Sequence, residues 1–205
     1  MEDSKVQAPM LFKAFPKIPR LNRSVFISEK IDGSNAQIGI TEDGRVFAGS
    51  RSRWLSPGKT TDNLGFAAWV EENKIELVKL GPGRHFGEWW GAGIQRRYGL
   101  SEKRFSLFNA ARWTGNVERP ACCGVVPTLF VGDFSSAVVD EQIERLRRDG
   151  SLAAPGFMQP EGVVVYMPAS GHLYKILCEG DELPKGAAAR MKPAVGFDAN
   201  GTEAM

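Results

Sequence analysis

The strongest constraint on the fold is the pair Asp32-Gly33, which lies between two short segments of β-forming residues. Residues 25–29 precede the pair, and residues 36–40 follow it with alternating apolar positions. A tight Asp-Gly turn between such segments is typical of β-structure. The pattern therefore predicts that Lys30, just before the turn, lies within a β-sheet system with its amine at a pocket wall. Taken alone, the same pattern more often marks a surface lysine in a β-turn.

A lysine presented in this way is a candidate nucleophile. Its neutral amine attacks phosphorus and carbonyl centres, but near neutral pH a lysine is mostly protonated. Nearby cations or burial must therefore favour loss of the proton.

Composition places the chain among ordinary globular proteins and excludes several classes. A length of 205 residues allows one sizeable core, and a formal net charge of +2 is too small for a frankly basic nucleic-acid-binding protein. The three cysteines, Cys122, Cys123 and Cys178, fit neither a disulfide framework nor a paired zinc site, which favours a reducing compartment. Because no apolar run approaches the length of a membrane span and no secretory pattern opens the chain, we expect a cytoplasmic protein.

Periodicity predicts an α+β fold of mainly antiparallel sheets with helices outside. The expected helices lie near residues 65–80 and 137–149, the second capped by Ser135 or Ser136. Further strands are expected at residues 45–48, 85–91, 105–113, 129–134, 160–166 and 173–177, with a loop at 117–127. We divide the chain into a basic, proline-containing lead-in at 1–24, a domain at 25–185 and a tail at 186–205 that frays.

Several polar and aromatic side chains are candidates for ligand binding. Arg51 and Arg53 follow a strand in alternation, so they either aim at one ligand or lie on opposite faces of the sheet. Glu88 stands among aromatics and either faces solvent or accepts a hydrogen bond from a ligand. Phe105, Leu107 and Phe108 cannot share one face, which favours an exposed ring that stacks on a base.

Taken in order, Lys30, Arg51, Glu88, Phe108, Glu161 and Lys175 resemble the motifs of the covalent nucleotidyltransferase superfamily, which includes ATP-dependent RNA ligases, DNA ligases and messenger-RNA capping enzymes. Lys30-Ile31-Asp32-Gly33 is similar to the nucleophile motif, and the following Ser34-Asn35 is similar to its form in the RNA-ligase branch. Any one of these motifs is weak. Six in the right order favour the catalytic interpretation of Lys30 over the surface turn.

The resemblance implies an ATP-dependent RNA ligase whose antiparallel sheets form a nucleotide cleft with flanking helices. Lys30 would attack the α-phosphate of ATP and carry AMP, the AMP would pass to an RNA 5′-phosphate, and a 3′-hydroxyl would displace it. Arg51 and Lys175 would favour the neutral amine and stabilise phosphate oxygens. The remaining implied roles are adenosine-pocket lining for Glu29 and Ile31, phosphate orientation for Asn35, ribose binding for Glu88, adenine stacking for Phe108 and binding of hydrated Mg²⁺ or Mn²⁺ for Glu161.

Two departures from the family pattern stand out. Leu177 occupies the position of the second lysine of the last motif, so a phosphate contact is missing or comes from elsewhere, such as Lys185. The 30 residues after Lys175 are too few for the oligonucleotide-binding domain of DNA ligases, so we expect a stand-alone domain, as a monomer. The basic stretches 13–23 and 96–104 are candidate RNA contacts, although the second is equally a solvated hairpin tip.

Two alternatives stay open at this point. One is a minimal ATP-dependent ligase that seals nicks in DNA. The other is a ligase-like module that binds nucleic-acid ends without chemistry, which Leu177 favours and the intact Lys-x-Asp-Gly disfavours. The RNA substrate, with 5′-phosphate and 3′-hydroxyl ends, could be single-stranded or a nicked duplex.

Overall fold

The computed structural model describes residues 11–18, 21–114 and 118–181, and their strands form two mainly antiparallel sheets. One sheet contains β1 (Ser24–Lys30), β8 (Thr128–Asp133), β9 (Gly162–Met167) and β10 (His172–Leu177), in the order β10-β9-β1-β8. The other contains β2 (Ser34–Ile40), β3 (Val46–Ser50), β4 (Trp54–Leu55), β5 (Gly83–Gly91), β6 (Lys103–Leu107) and β7 (Cys123–Val125), in the order β4-β3-β2-β5-β6-β7. Among the described strands, only β6 and β7 pair in parallel. The predicted α+β class is confirmed.

In the described part of the chain, three α-helices accompany the sheets: α1 (Phe66–Leu77), α2 (Ala110–Trp113) and α3 (Ser136–Asp149). A 3₁₀ turn at Val78–Leu80 extends α1, so both long helices occur where the sequence predicts them. Ser135 caps α3 by accepting a hydrogen bond from the backbone N–H of Val138 at 3.2 Å. None of the helices in the described residues has the length or apolar character needed to cross a bilayer.

The Asp32-Gly33 turn does not close a hairpin. β1 belongs to the four-stranded sheet and β2 to the six-stranded sheet, so the turn carries the chain from one sheet to the other. A Cβ at Gly33 would lie 2.5 Å from the carbonyl oxygen of Trp89, a contact that real side chains do not make. Glycine is therefore required here by the close approach of two backbones rather than by hairpin geometry. The predicted strands on both sides of the turn are confirmed, and the turn connects two sheets.

Each sheet has its own hydrophobic core. In the six-stranded sheet, alternate residues of β2 are buried against α1 and against an aromatic group formed by Phe66, Trp69, Trp89 and Phe105. In the four-stranded sheet, alternate residues of β1 and β9 pack on the apolar face of α3. A third cluster, which contains Ile31, Trp90 and Tyr98, fills the space beside the Asp32-Gly33 turn. The sheet faces that α1 and α3 do not cover carry Lys30 on β1 and Glu88 on β5.

The structure corrects two predicted segments. Residues 105–113 do not form one strand, because β6 ends at Leu107 and α2 begins at Ala110. The side chain of Asn109 accepts a hydrogen bond from the backbone N–H of Arg112 at 3.1 Å, and this N-cap, followed by two alanines, favours the helix. Residues 117–127 are not entirely loop either, because β7 is a three-residue strand, too short to show alternation in the sequence.

Other predictions fall partly outside the described residues. The tail at 186–205, Lys185 and Arg20 lie there. The described part of the lead-in, residues 11–18 and 21–23, has neither helix nor strand, as its prolines predict.

Candidate active site

Lys30 is the last residue of β1, and it lies on the face of the four-stranded sheet that α3 does not cover. Its backbone is opposite Gly162, the first residue of β9, so the preceding Glu161 lies next to it. The Nζ atom of Lys30 donates a hydrogen bond to Oε2 of Glu161 at 2.6 Å, and the side chains are only 24% and 15% exposed. The fold brings these two residues together from 131 positions apart in the sequence. The resemblance places both of them in one nucleotide pocket.

Glu29 points the other way. Its carboxylate is buried on the helix-covered face, where it accepts hydrogen bonds from the Ser151 hydroxyl at 2.5 Å and from the backbone N–H groups of Leu152 and Ala153 at 2.8 and 2.9 Å. Burial raises the pKa of Glu29, and these hydrogen bonds oppose the rise. The carboxylate therefore anchors the loop after α3. The role of Glu29 in lining an adenosine pocket stays a prediction. Because the carboxylate points to the other face of the sheet, only the backbone of Glu29 can take this role.

Two residues that the sequence analysis assigned to RNA or to solvent instead hold the Asp32-Gly33 turn. The Tyr98 hydroxyl accepts a hydrogen bond from the backbone N–H of Asp32 at 2.7 Å. Nε of Arg96 lies 3.1 Å from Oδ2 of Asp32, and Nη1 of Arg96 donates to the carbonyl oxygen of Gln159 at 3.0 Å. Arg96 thus connects the turn after Lys30 to the segment before Glu161. The sequence contains one signal for this arrangement, which is that Tyr98 lies within a basic loop. A tyrosine that becomes buried needs a hydrogen-bond partner for its hydroxyl.

Glu88 approaches the same turn from the six-stranded sheet. It lies on β5 directly opposite Asn35 of β2, and its Oε1 accepts a hydrogen bond from the backbone N–H of Gly33 at 3.1 Å. Burial raises the pKa of Glu88 to about 7, although the positive charge of Lys30 and the bond from Gly33 both oppose the rise. Of the two alternatives for Glu88, the structure thus supports a half-buried acid beside the turn that follows Lys30 rather than a solvated one.

Phe108 carries the exposed ring that the sequence predicts. Phe105 and Leu107 are buried in the core, whereas Phe108 is exposed just after β6. Its backbone N–H donates to the carbonyl oxygen of Phe86, two residues before Glu88 on β5. Strand alternation therefore puts Phe86, Glu88 and Phe108 on one face. Ile31, by contrast, is buried in the third cluster beside the turn, so its contact with a nucleotide stays a prediction.

The three remaining positions differ in how near they come to Lys30. Leu177 is opposite Gly162, which is opposite Lys30, so an apolar side chain stands in the same row as Lys30, at the position where the family pattern has a second lysine. Lys175 lies two residues away on the same face of β10 and is exposed. Arg51 directly follows β3, at the end of the six-stranded sheet that holds Asn35. In the described ranges neither Lys175 nor Arg51 forms an ion pair.

The carboxylates beside Lys30 fit a metal ion that takes most of its ligands from substrate phosphates and water. Within the described part of the chain, no group of three or more histidine, cysteine, aspartate or glutamate side chains could hold a metal ion. Glu88 and Glu161 interact electrostatically at this site, and the charge of Asp32, which is paired with Arg96, acts there as well. Hydrated Mg²⁺ and Mn²⁺ use one or two carboxylates together with substrate phosphates and water, which this donor set allows.

Comparisons with known proteins give the family and the fold of the chain. A family model described as RNA ligase matches residues 23–177, a range that includes Lys30, Glu88, Glu161 and Lys175. No curated protein matches the chain.

The chain is also similar in fold to solved structures of Naegleria gruberi RNA ligase. An apo mutant is 21% identical with a TM-score of 0.55, covering 76% of this chain and 49% of that one. A mutant with ATP and Mn is 20% identical with a TM-score of 0.54, covering 77% and 50%. A mutant with AMP and Mn is 20% identical with a TM-score of 0.54, covering 76% and 49%. The present chain thus spans about half the length of these structures.

Proposed function

The chain belongs to the RNA ligase family, and we propose that it joins RNA ends in an ATP-dependent reaction through a lysyl-AMP formed on Lys30. The observation that carries the proposal is the ion pair between Lys30 and Glu161, where two sheets meet and a second acid, Glu88, is held by the same turn. From this position, the amine of Lys30 can reach a ligand bound between the two sheets. The acids and cations of the site can contact the same ligand from its other sides.

In the first step, Nζ of Lys30 attacks the α-phosphorus of ATP. A P–N bond forms, the P–O bond to pyrophosphate breaks, and the amine loses a proton. Glu161 already accepts a hydrogen bond from this amine, so it is the group placed to receive the proton. Arg51 and Lys175, on the two sheets, supply positive charge for the phosphate oxygens, which is the electrostatic part of phosphoryl-transfer catalysis.

In the second and third steps, the AMP moves and is released. A 5′-phosphate oxygen of the RNA attacks the phosphorus, the P–N bond to Lys30 breaks, and the amine regains a proton. The 3′-hydroxyl of the other end then attacks the 5′-phosphate, forms the phosphodiester bond and displaces AMP. Pyrophosphate and AMP are therefore the products besides the sealed strand.

The six-stranded sheet binds the nucleotide in this proposal. Phe108 stacks on adenine with its exposed ring, Glu88 accepts from the ribose hydroxyls, and Asn35, directly across from Glu88, orients the phosphate. Because the pKa of Glu88 is about 7, nucleotide binding through its ionised form strengthens as the pH rises through neutrality. Glu29 and Ile31 contribute through the backbone and through the packing of the turn.

Glu161 is the proposed ligand of a hydrated divalent cation, Mg²⁺ or Mn²⁺, shared with substrate phosphates. When bound, such a cation neutralises charge on the transferred phosphate. Among the fold neighbours, mutants of Naegleria gruberi RNA ligase were solved with ATP and Mn and with AMP and Mn, which supports ATP and a divalent metal for this chain. The nucleotidyltransferase domain at 25–185 and the cytoplasmic location are parts of the same proposal.

The experiment that tests the proposal is an assay of the full chain with ATP labelled at the α-phosphate and with magnesium or manganese. The wild-type protein is expected to become labelled and to seal a 5′-phosphorylated RNA end to a 3′-hydroxyl. Lys30→Ala is expected to do neither, while Lys74→Ala on α1, an exposed lysine outside the site, behaves as wild type. An unlabelled wild-type protein would instead favour the non-catalytic end-binding module.

A parallel assay separates RNA from DNA joining. Nicked duplexes with RNA or DNA at the nick, and single-stranded RNA ends, are offered to the wild-type protein in the same buffer. Sealing of the DNA nick alone would replace the proposal by the minimal DNA ligase.

A further inference from the structure

A group of exposed aromatic rings lies on the face of the six-stranded sheet that carries Glu88, beyond the residues assigned to ATP. Phe47, Trp54 and Phe86 form it together with Arg84, and we refer to these four residues as the aromatic platform. The three rings are 40%, 50% and 47% exposed, respectively. Isolated exposed aromatics need no explanation, but several adjacent ones on a single face indicate a contact surface.

The sheet is built to hold the indole of Trp54 flat. A Cβ at Gly39 would lie 2.7 Å from the Trp54 ring, and one at Gly49 would lie 3.1 Å from it. The two glycines are on neighbouring strands, β2 and β3, and both lie under the ring. Glycine inside a strand marks a close approach of this kind. The ring thus rests on bare backbone with its outer face toward solvent.

Two other members of the platform, Phe47 and Arg84, lie beside the Trp54 ring. Gly39 is opposite Phe47 on β3 and opposite Arg84 on β5, so both side chains flank the indole. The ring centroids of Phe47 and Trp54 are 5.8 Å apart, and Cζ of Arg84 lies 5.9 Å from the Trp54 centroid. An arginine over an indole is a cation–π contact that leaves its guanidinium donors available to an anion.

Strand alternation connects the platform to the proposed active site. Arg84, Phe86 and Glu88 are alternate residues of β5 and lie on one face, with about 7 Å between successive members. The platform therefore begins next to Glu88 and runs away from Lys30 along the sheet. Arg51 and Arg53, in the loop between β3 and β4, bring two more cations to its edge.

On the basis of the proposed function, we propose that the aromatic platform binds unpaired bases of the RNA strand whose end enters the active site. Aromatic rings beside cations are the combination that binds single-stranded nucleic acid, because every base has a face that stacks and every phosphate a charge that pairs. A paired duplex has its base faces covered, so the platform favours single-stranded over duplex ends. Arg84 within the platform, together with Arg51 and Arg53 in the loop after β3, favours a polyanion over an apolar protein segment.

The test measures binding of a fluorescent, 5′-phosphorylated single-stranded oligoribonucleotide to the full chain at one fixed salt concentration. Trp54→Ala is expected to weaken binding at least fivefold, while Trp54→Phe, which keeps a stacking ring, restores most of the affinity. Ile75→Ala is the matched control, since it removes an exposed apolar side chain from α1, on the opposite side of the same sheet. Blunt duplex RNA of equal length is expected to bind all variants alike.

A second measurement keeps the result interpretable if the alanine variant misfolds. The wild-type protein is photocrosslinked to an oligoribonucleotide that contains 4-thiouridine, and the crosslinked peptide is identified. Crosslinks to the segment that contains Trp54 are expected. Any of three results would overturn the inference. The first is a loss of affinity smaller than fivefold for Trp54→Ala, the second is an equal loss of affinity for duplex RNA or for Ile75→Ala, and the third is crosslinks that avoid all four platform residues.

Failure of the two proposals can be told apart. Labelling by ATP needs no RNA, so an unlabelled wild-type protein that still crosslinks through Trp54 contradicts the ligase mechanism and leaves the platform standing. A labelled protein whose RNA binding ignores Trp54 contradicts the platform alone.

Discussion

Replacing Glu88 by glutamine should change how stability depends on pH. The substitution keeps the size of the side chain and an acceptor for the backbone N–H of Gly33, but it removes the ionisable group. The folded protein holds the Glu88 pKa at about 7, above its ordinary 4.5, so between these values the folded state binds a proton that the unfolded state releases. Stability from this group is fully present below pH 4.5 and is lost as the pH rises through 7.

The size of the effect follows from the same two values. A rise in pKa from 4.5 to about 7 corresponds to roughly 3 kcal/mol of unfolding free energy, since one pH unit is about 1.36 kcal/mol. The side chain is half-buried rather than fully enclosed, so we take this as an upper bound and expect about 1–3 kcal/mol. Relative to wild type, Glu88→Gln should therefore become more stable by that amount between pH 4.5 and pH 8.

Urea unfolding of both proteins without nucleotide, at half-unit steps from pH 4.5 to 8, measures the difference directly. Other groups, such as Glu29 and His85, also titrate, but they are common to both proteins and cancel in the difference. Glu141→Gln, an exposed position on α3, is the control and should show no such trend. The quantity compared is the unfolding free energy of the wild type minus that of the variant. If this difference does not change with pH across the range, or changes in the opposite direction, the assigned environment of Glu88 is refuted.

Three other substitutions test separate parts of the site. Glu29→Ala leaves two backbone donors and a hydroxyl unpaired in the interior, so it should cost about 3–5 kcal/mol of unfolding free energy; a cost below 1 kcal/mol in urea would contradict the anchoring role. Tyr98→Phe removes the acceptor for the Asp32 backbone N–H, and labelling by ATP should slow several-fold, whereas an unchanged rate would show that the turn needs no bracing. Leu177→Lys restores a cation in the row of Lys30 and should speed labelling several-fold; an equal or lower rate would show that no phosphate lies there.

Most strands and both long helices could be predicted from the sequence, because alternation and helical spacing report which face of an element is buried. Alternation does not report which strands pair, so the division of β1 and β2 between two sheets was not foreseen. Local chemistry was also misread at Asn109, whose capping side chain ends one element and starts another.

The candidate site shows the same limit. The order of motifs indicated that Lys30, Glu88 and Glu161 would come together, and the structure does bring them to one turn. The roles of Arg96 and Tyr98 could not be foreseen, because each contacts Asp32 across more than 60 positions and its sequence context suggested solvent or RNA. The interior bonds of the Glu29 carboxylate were hidden for the same reason, since its partners follow α3.

The central claim is that Lys30 carries AMP, and the most direct test is to locate that AMP. The wild-type protein is incubated with ATP and magnesium or manganese, quenched under conditions that preserve the phosphoramide bond, digested and analysed by tandem mass spectrometry. The account predicts AMP on the amine of Lys30 and its loss when RNA with a 5′-phosphate is added before quenching. AMP on Lys175 or on another residue, or no adenylylated peptide at all, would contradict it.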